Sequence, residues 1–214
     1  MNTKIPDKNE IDNVLSLRHT QEVFEKLKEA RVAVAGLGGL GSNISLMLAR
    51  SGVGTLHLID FDEVDLSNLN RQQYFICHLG TYKTEAIKEE ISRINPYINV
   101  ITDCVKVTDE NIDSLFKDDN IICEAFDDPD CKAMLVNHIL ETRKDAYIVA
   151  ASGMAGVEKS NTIITRKITD RFYLCGDGTN TVVKGNGLMS PRVTICAAHQ
   201  ANTILRIILG KYDI

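Results

Sequence analysis

Gly36-Leu37-Gly38-Gly39-Leu40-Gly41 stands directly after the apolar run Val32-Ala33-Val34-Ala35 and before a stretch with helical spacing through Ile44, Met47 and Leu48. Glycines there permit a tight turn and let backbone N–H groups approach a phosphate at the positive N-terminus of the helix. Asp60, nineteen residues beyond Gly41 and at the tip of a second apolar run, is placed to accept hydrogen bonds from ribose hydroxyls. To this point an NAD-dependent oxidoreductase fits as well as an ATP-using enzyme. The segment that follows, Asp60-Phe61-Asp62 through Ser67-Asn68-Leu69-Asn70-Arg71-Gln72-Gln73, separates them. A dinucleotide site needs little cationic help beyond its glycine loop, whereas an adenylating site must neutralise a triphosphate while a carboxylate attacks the α-phosphorus. Arg71 and Lys83 are suitable cations, and Asp127, just past a fourth apolar strand, is a suitable oxygen ligand for Mg²⁺.

Positioning these residues takes alternating strands and helices. Residues 10–29 carry a helical pattern through Val14, Leu15, Val23, Phe24 and Leu27. Strands are predicted at 32–35, 56–59, from 100 onward, 120–124 and 146–151. Helices are expected over 40–51 with Gly52 as the C-terminal cap, over 83–94 where Asn95-Pro96 stops them, and over 128–142. Nearly unbroken apolar strands between helices argue for a Rossmann-like α/β fold, a mostly parallel sheet with helices on both faces. After Ser152 the pattern changes to a small antiparallel extension, with short strands at 162–165 and 171–174. Residues 176–189 hold four of the fourteen glycines and read as a mobile loop. Ser190-Pro191 then opens a last helix to Gly210, with the serine as N-cap. No repeat or linker divides the chain, so one domain is expected over 1–214: an N-terminal helix at 10–29, a nucleotide-binding core at 30–152, and a β-rich tail with the final helix at 153–214.

The 214 residues are 44% hydrophobic and 25% charged, which excludes disordered and coiled-coil classes and allows one sizeable core. A net charge of −5 gives no support for gripping nucleic acid through bulk charge. No apolar run reaches the ~18 residues of a membrane helix. The stretch 1–13 lacks the apolar core of an export signal, so a soluble cytoplasmic protein is expected. Six cysteines contain no CxxC pair, and no structural zinc is expected. Cys104 and Cys123 read as small core hydrophobes, and His57 and His199 as structural histidines.

Gly36-Leu37-Gly38-Gly39-Leu40-Gly41-Ser42, followed by Asp60-Phe61-Asp62 and Ser67-Asn68-Leu69-Asn70-Arg71-Gln72, closely resembles the ThiF/MoeB/HesA family, which activates ubiquitin-like sulfur carrier proteins. The resemblance covers about residues 14–210 and is nearest to short members without zinc cysteines; Met189-Ser190-Pro191-Arg192-Val193 and Ala198-His199-Gln200-Ala201-Asn202 share it. It implies that Gly39 and Gly41 approach the ATP phosphates and Asp60 holds the ribose. Asn68, Arg71 and Gln72 would line the phosphate site, Lys83 would neutralise the triphosphate, and Asp127 would hold Mg²⁺. It also implies a homodimer in which an N-terminal arginine, best matched by Arg18, completes the partner's site. The implied partner is a small β-grasp carrier ending in Gly-Gly, activated to an acyl-adenylate, with a thiamine-pathway carrier first in order. Some relatives link covalently to the carrier through a late cysteine; Cys175, opening the glycine-rich loop, is the candidate for an exposed sulfur-transfer thiol.

Asp62 is read with the nucleotide site, Asp65 as a solvated carboxylate and Asp128 as the cap of the helix after Asp127. Three rival functions are an activator of a carboxylate on modified tRNA, an NAD-dependent oxidoreductase, and a non-catalytic partner that keeps the fold.

Overall fold

In a computed structural model describing residues 5–214, seven strands form one sheet. Residues 1–4, the start of the segment read as lacking an export signal, lie outside the described residues. The strands are β1 (Arg31–Ala35), β2 (Thr55–Ile59), β3 (Asn99–Asp103), β4 (Ile121–Glu124), β5 (Tyr147–Ala151), β6 (Ile164–Lys167) and β7 (Phe172–Gly176), in the order β3-β2-β1-β4-β5-β7-β6. Every neighbouring pair is parallel except β6 with β7. The strand order reverses at β1, between β2 and β4, and open α/β sheets bind ligands at the carboxyl ends of the strands flanking such a switch.

Strand alternation divides the interior in two. Val32, Val34, Leu56, Leu58, Cys123 and Val149 face α3 (Gly39–Ser51), α4 (Lys83–Ile94) and α7 (Ser190–Ile208), in a core with Ile44, Leu48, Ile87 and Ile204. Ala33, Ala35, Ile59, Ile122 and Ile148 face the other way, against Ile112 and Phe116 and against Leu135 and Ile139 of α6 (Pro129–Thr142). Each Leu or Ile so buried stabilises by roughly 1.5–3 kcal/mol relative to exposure, which is why both faces read as apolar runs. Among the described residues no helix is long and apolar enough to cross a membrane.

The expected N-terminal helix is two, α1 (Lys8–His19) and α2 (Gln21–Glu29), broken at Thr20, whose φ of 83° is outside the helical range and whose hydroxyl accepts from the Val23 N–H. The two helices lie at the edge of the sheet where strands begin: Leu15 packs on Gly52, and the Tyr97 hydroxyl donates to the Pro6 carbonyl. The tail departs further from expectation. Strand β7 joins β5 in parallel and extends the main sheet, so only β6 is antiparallel. In α7, Ser190 is the first helical residue and Met189 the cap, with no side-chain cap bond, while Gly210 lies beyond the helix end. Asp128 does cap α6, accepting from the Cys131 N–H at 2.8 Å.

His57 on β2 is structural, as expected, and it ties three elements together. Its ring nitrogens lie 2.6 Å from Asp119 and 2.7 Å from Asp103, and Asp119 also accepts from Arg31 Nε at 2.6 Å. Burial alone pushes His57 down, but Asp119 and then Asp103 outweigh it and raise the imidazole above its usual 6.5. A raised folded-state value means the contribution to stability is fully present below about pH 6.5 and is lost as pH rises through the folded value. Urea unfolding should therefore show wild-type stability falling between pH 6 and pH 9, in a window where His57→Gln is flatter; equal slopes would refute this coupling.

Candidate active site

The glycine loop is built by two contacts that leave no room for a side chain. Gly36 adopts φ +91°, and a Cβ there would lie 2.8 Å from the Ala125 carbonyl oxygen, so the end of β4 packs directly on the loop. At Gly41 a Cβ would lie 1.8 Å from the Gly36 oxygen. Gly41 is thus a packing glycine, buried where α3 crosses the turn, and not a wall of the ligand space expected from the sequence. Gly38 differs: its φ is −74°, and the nearest atom to a Cβ would be Gln72 Nε2 at 3.8 Å. As N-cap of α3 it offers no side chain, so the first N–H groups of the helix remain for an anion.

Asp60 closes the other side. Its carboxylate accepts from the Leu37 N–H at 2.6 Å and the Asp62 N–H at 2.8 Å, which fixes the loop to the tip of β2. Burial holds its pKa above the ordinary carboxylate value, and Lys83 and those two N–H groups offset that rise only in part. Lys83, at the first position of α4, is itself buried, with Nζ 2.6 Å from Asp62 and 3.9 Å from Asp60. Asp60, Asp62 and Lys83 therefore come together as expected.

The segment after Asp60 returns to the loop. Asn43 Nδ2 donates to the carbonyls of Gly39 and Arg71, Gln73 bonds Ser42 and Asn43, and the Tyr74 hydroxyl donates to the Leu37 carbonyl. Asn43, Gln73 and Tyr74 escaped the sequence analysis; the signal was there in Asn43, a polar residue on the apolar face of α3. This docking lays the Arg71 stem on Gly39, with Cγ at 3.4 Å from a Cβ position there, and sets Gln72 beside Gly38. Arg71 donates to the Ser67 carbonyl and to Asn70, but among the described residues its Nε is buried without a partner, as is Gln72 Oε1. Asn68 Oδ1 is engaged locally: it accepts from the Asp65 N–H and closes a short 3₁₀ turn, Leu66–Asn68. Asp65 caps the same turn and is exposed.

Asp127 is exposed just past β4, and among the described residues its carboxylate has no hydrogen-bond partner. The turn bearing it is held from below by a pair the sequence analysis missed: Glu124, fully buried and pushed up by burial, accepts two bonds from Lys132 and one from the Phe126 N–H. No group of three or more His, Cys, Asp or Glu comes together among the described residues. Mg²⁺ keeps several waters and takes one or two carboxylates plus phosphate oxygens, so a single free carboxylate at this edge suits it.

Arg18, expected to complete a partner's site and not its own, is exposed at the end of α1, at the opposite edge of the sheet from the loop. Cys175, expected on an exposed loop, is fully buried in β7, and burial pushes its thiol up; its Sγ lies 3.6 Å from Thr165 Oγ1. Cys104 reverses in the other direction: read as a core residue, it is exposed just past the edge strand β3.

The two glycines predict opposite outcomes. Gly41→Ala should destabilise by roughly 3 kcal/mol or more, because backbone must move. Gly38→Ala should melt like wild type yet lose the thermal shift given by ATP, since its methyl enters only the open space. Equal melting temperatures for both variants would contradict the packing assigned to Gly41.

A protein-family model described as the ThiF family matches residues 13–214. The molybdopterin-synthase adenylyltransferase of Salmonella typhimurium is 32% identical over 190 residues, covering 86% of this chain and 75% of that one. The adenylyltransferase and sulfurtransferase of Candida glabrata is 31% identical over 195 residues, and this chain spans 44% of its length. In fold, the chain matches Escherichia coli tRNA N6-threonylcarbamoyladenosine dehydratase, solved with ATP, at a TM-score of 0.84 and 22% identity, over 98% of both chains. With the family model spanning nearly its whole length, the chain belongs to the ThiF family.

Proposed function

We propose that this chain uses Mg²⁺-ATP to adenylate the C-terminal glycine carboxylate of a small β-grasp sulfur carrier, a ThiS-like protein of thiamine biosynthesis. One observation carries the reading: Gln72 stands beside the open Gly38 and Arg71 on Gly39, and among the described residues Gln72 Oε1 and Arg71 Nε are buried polar atoms without partners. Buried polar groups in native proteins are almost always satisfied, and triphosphate oxygens with their waters supply what these two lack. The ThiF-family relatives named adenylyltransferases support the reaction class.

A carboxylate is already ionised at neutral pH, so no general base is needed. One of its oxygens attacks the α-phosphorus, an O–P bond forms, and the bond to the bridging oxygen breaks as pyrophosphate leaves. The N-terminus of α3 and Arg71 face the growing charge, and Lys83 moves its charge from Asp62 toward the phosphates. Mg²⁺ held at Asp127 would screen the leaving pyrophosphate. The chain contributes positioning and preorganised electrostatics.

The reading includes a homodimer. Leu66, Phe75, Ile76 and Tyr82, on the segment from β2 to α4, and Leu17 on α1 are exposed apolar side chains suited to an interface. Arg18, unable to reach its own loop, would serve the partner's site. A second reading, adenylation of a carboxylate on modified tRNA, is kept by the full-length fold match to the E. coli dehydratase.

Exchange of labelled pyrophosphate into ATP, measured across carriers ending in Gly-Gly, decides between them. Exchange should need one carrier and fall roughly 10²–10³-fold in Arg71→Ala. No exchange with any carrier, but tRNA-dependent release of AMP or pyrophosphate, would move the assignment to the second reading. Mixing Arg18→Ala with Arg71→Ala chains should restore activity to about a quarter of wild type, because half the reassorted dimers carry one complete site. No recovery from exchanging subunits would remove Arg18 from the partner's site.

A further inference from the structure

Asp127 stands on a turn that is held on its β5 side by side chains rather than by a strand ladder. Strand β4 stays with β1 as far as Ala125, whose N–H donates to the Ala35 carbonyl at 2.8 Å, and β5 stays with β7 as far as Ala151. The ladder between β4 and β5 ends earlier, at Cys123 and Val149. Side chains from both faces of the sheet take over there. From the α7 face, the fully buried Gln200 donates through Nε2 to the Glu124 carbonyl at 2.9 Å and to the Val149 carbonyl at 3.3 Å. From the opposite face, Lys132, early in α6, donates to the two Glu124 carboxylate oxygens at 2.8 and 2.7 Å. The same Nζ donates to the Phe126 carbonyl at 3.1 Å, and the Glu124 carboxylate accepts from the Phe126 N–H at 2.7 Å. Lys132 thus clamps the turn at two points, one on either side of Ala125.

The neighbours of Asp127 are committed elsewhere. Phe126 packs on the glycine loop, since a Cβ on Gly36 would lie 3.0 Å from its Cδ1. Asp128 is occupied as the cap of α6. Asp127 is exposed, and its carboxylate is free of hydrogen bonds among the described residues. Its reach to the glycine loop is therefore set by Phe126 and by the Lys132 clamp. Glu124 and Lys132 are not themselves ligands: the Glu124 side chain is 0% exposed, and Lys132 is a cation paired to it.

We propose that the Glu124–Lys132 pair is a positioning device for Asp127: it fixes the turn at the reach from the glycine loop that a divalent cation on the ATP phosphates needs, and so sets the affinity for that cation. This rests on the Mg²⁺-ATP reading above. Mg²⁺ demands near-ideal octahedral geometry, so a carboxylate shifted on a loosened turn is lost as a ligand rather than accommodated.

The test is the melting shift given by ATP to the full chain, read in EDTA and again as Mg²⁺ is added. Its variants are Lys132→Met, Lys132→Arg, the double variant Glu124→Gln with Lys132→Met, and Asp127→Asn as reference. In Lys132→Met the shift in EDTA should match wild type, while the Mg²⁺ concentration giving half of the added shift rises about tenfold or more. Lys132→Arg, which keeps the charge and the donors, should recover most of that loss. The double variant leaves no buried charge unpaired, so its melting temperature should recover while the raised Mg²⁺ requirement stays, because the clamp is gone. A requirement that returns to wild type together with the melting temperature would overturn the proposal, as would an unchanged requirement in Lys132→Met. Should Lys132→Met fail to fold, the double variant decides by the same reading. A wild type whose shift ignores Mg²⁺, or an Asp127→Asn that responds as wild type does, sinks the metal reading and the proposal with it. A response lost in Asp127→Asn alone sinks only the proposal.

Discussion

The contact between Gly41 and the Gly36 carbonyl oxygen constrains everything around it. With 1.8 Å between that oxygen and where a Cβ would stand, α3 can lie across the end of β1 only because Gly41 has no side chain. That crossing brings Gly38 to the helix cap and presents uncapped N–H groups at the sheet edge. It also places Leu37 so that its N–H meets Asp60 and its carbonyl meets Tyr74. Asp60 also holds the Asp62 N–H, Asp62 in turn holds Lys83 Nζ at 2.6 Å, and Tyr74 docks the segment bearing Arg71 and Gln72.

Three strands meeting this edge share one electrostatic solution. Asp60 after β2, Glu124 at the end of β4 and Asp177 after β7 are each little exposed, and each faces a cation from the early part of the next helix along the chain: Lys83, Lys132 and Arg192. Removing one partner of such a pair leaves a buried charge uncompensated, at a cost of roughly 3–5 kcal/mol. The pairs therefore act less as sources of net stability than as clamps on the turns between them. Their employments differ: Asp60 and Lys83 fix the glycine loop to the start of α4, Glu124 and Lys132 hold the turn of Asp127, and Asp177 and Arg192 join the segment after β7 to the start of α7.

What was legible in the sequence was local. The glycine loop, the bounds of α4, the Asp128 cap and the αL Gly52 each follow from a few adjacent residues whose conformational preferences are strong. What escaped depends on partners far along the chain. The break at Thr20 comes from a non-glycine residue at positive φ, a conformation that residue type does not advertise. Strand β7 pairs with β5 in parallel across an intervening strand, β6, and short strands in sequence proximity read more simply as a hairpin. Cys104 and Cys175 exchanged roles because exposure at a sheet edge depends on strand order, and neither thiol's apolar neighbours encode that order. Asn68, grouped with the phosphate residues by resemblance, has its Oδ1 engaged in its own turn, a contact that no motif announces.

Within one chain the edge is a partial electrostatic site. It offers helix N–H groups, the Arg71 guanidinium over Gly39 and a lysine held by Asp62, with the Asp127 carboxylate free of hydrogen bonds among the described residues. Hydride transfer between carbon centres develops little charge at a phosphate and would leave this convergence unused. Attack by a carboxylate on the α-phosphorus develops charge there and expels a polyanion, so every one of these groups gains from the transition state relative to the ground state. The ATP phosphates would draw Lys83 from Asp62, whose other contacts are few and whose side chain is half exposed, while Asp60, buried and bound by two N–H groups, stays in place. That asymmetry between neighbouring carboxylates lets one fix the loop and the other release a cation.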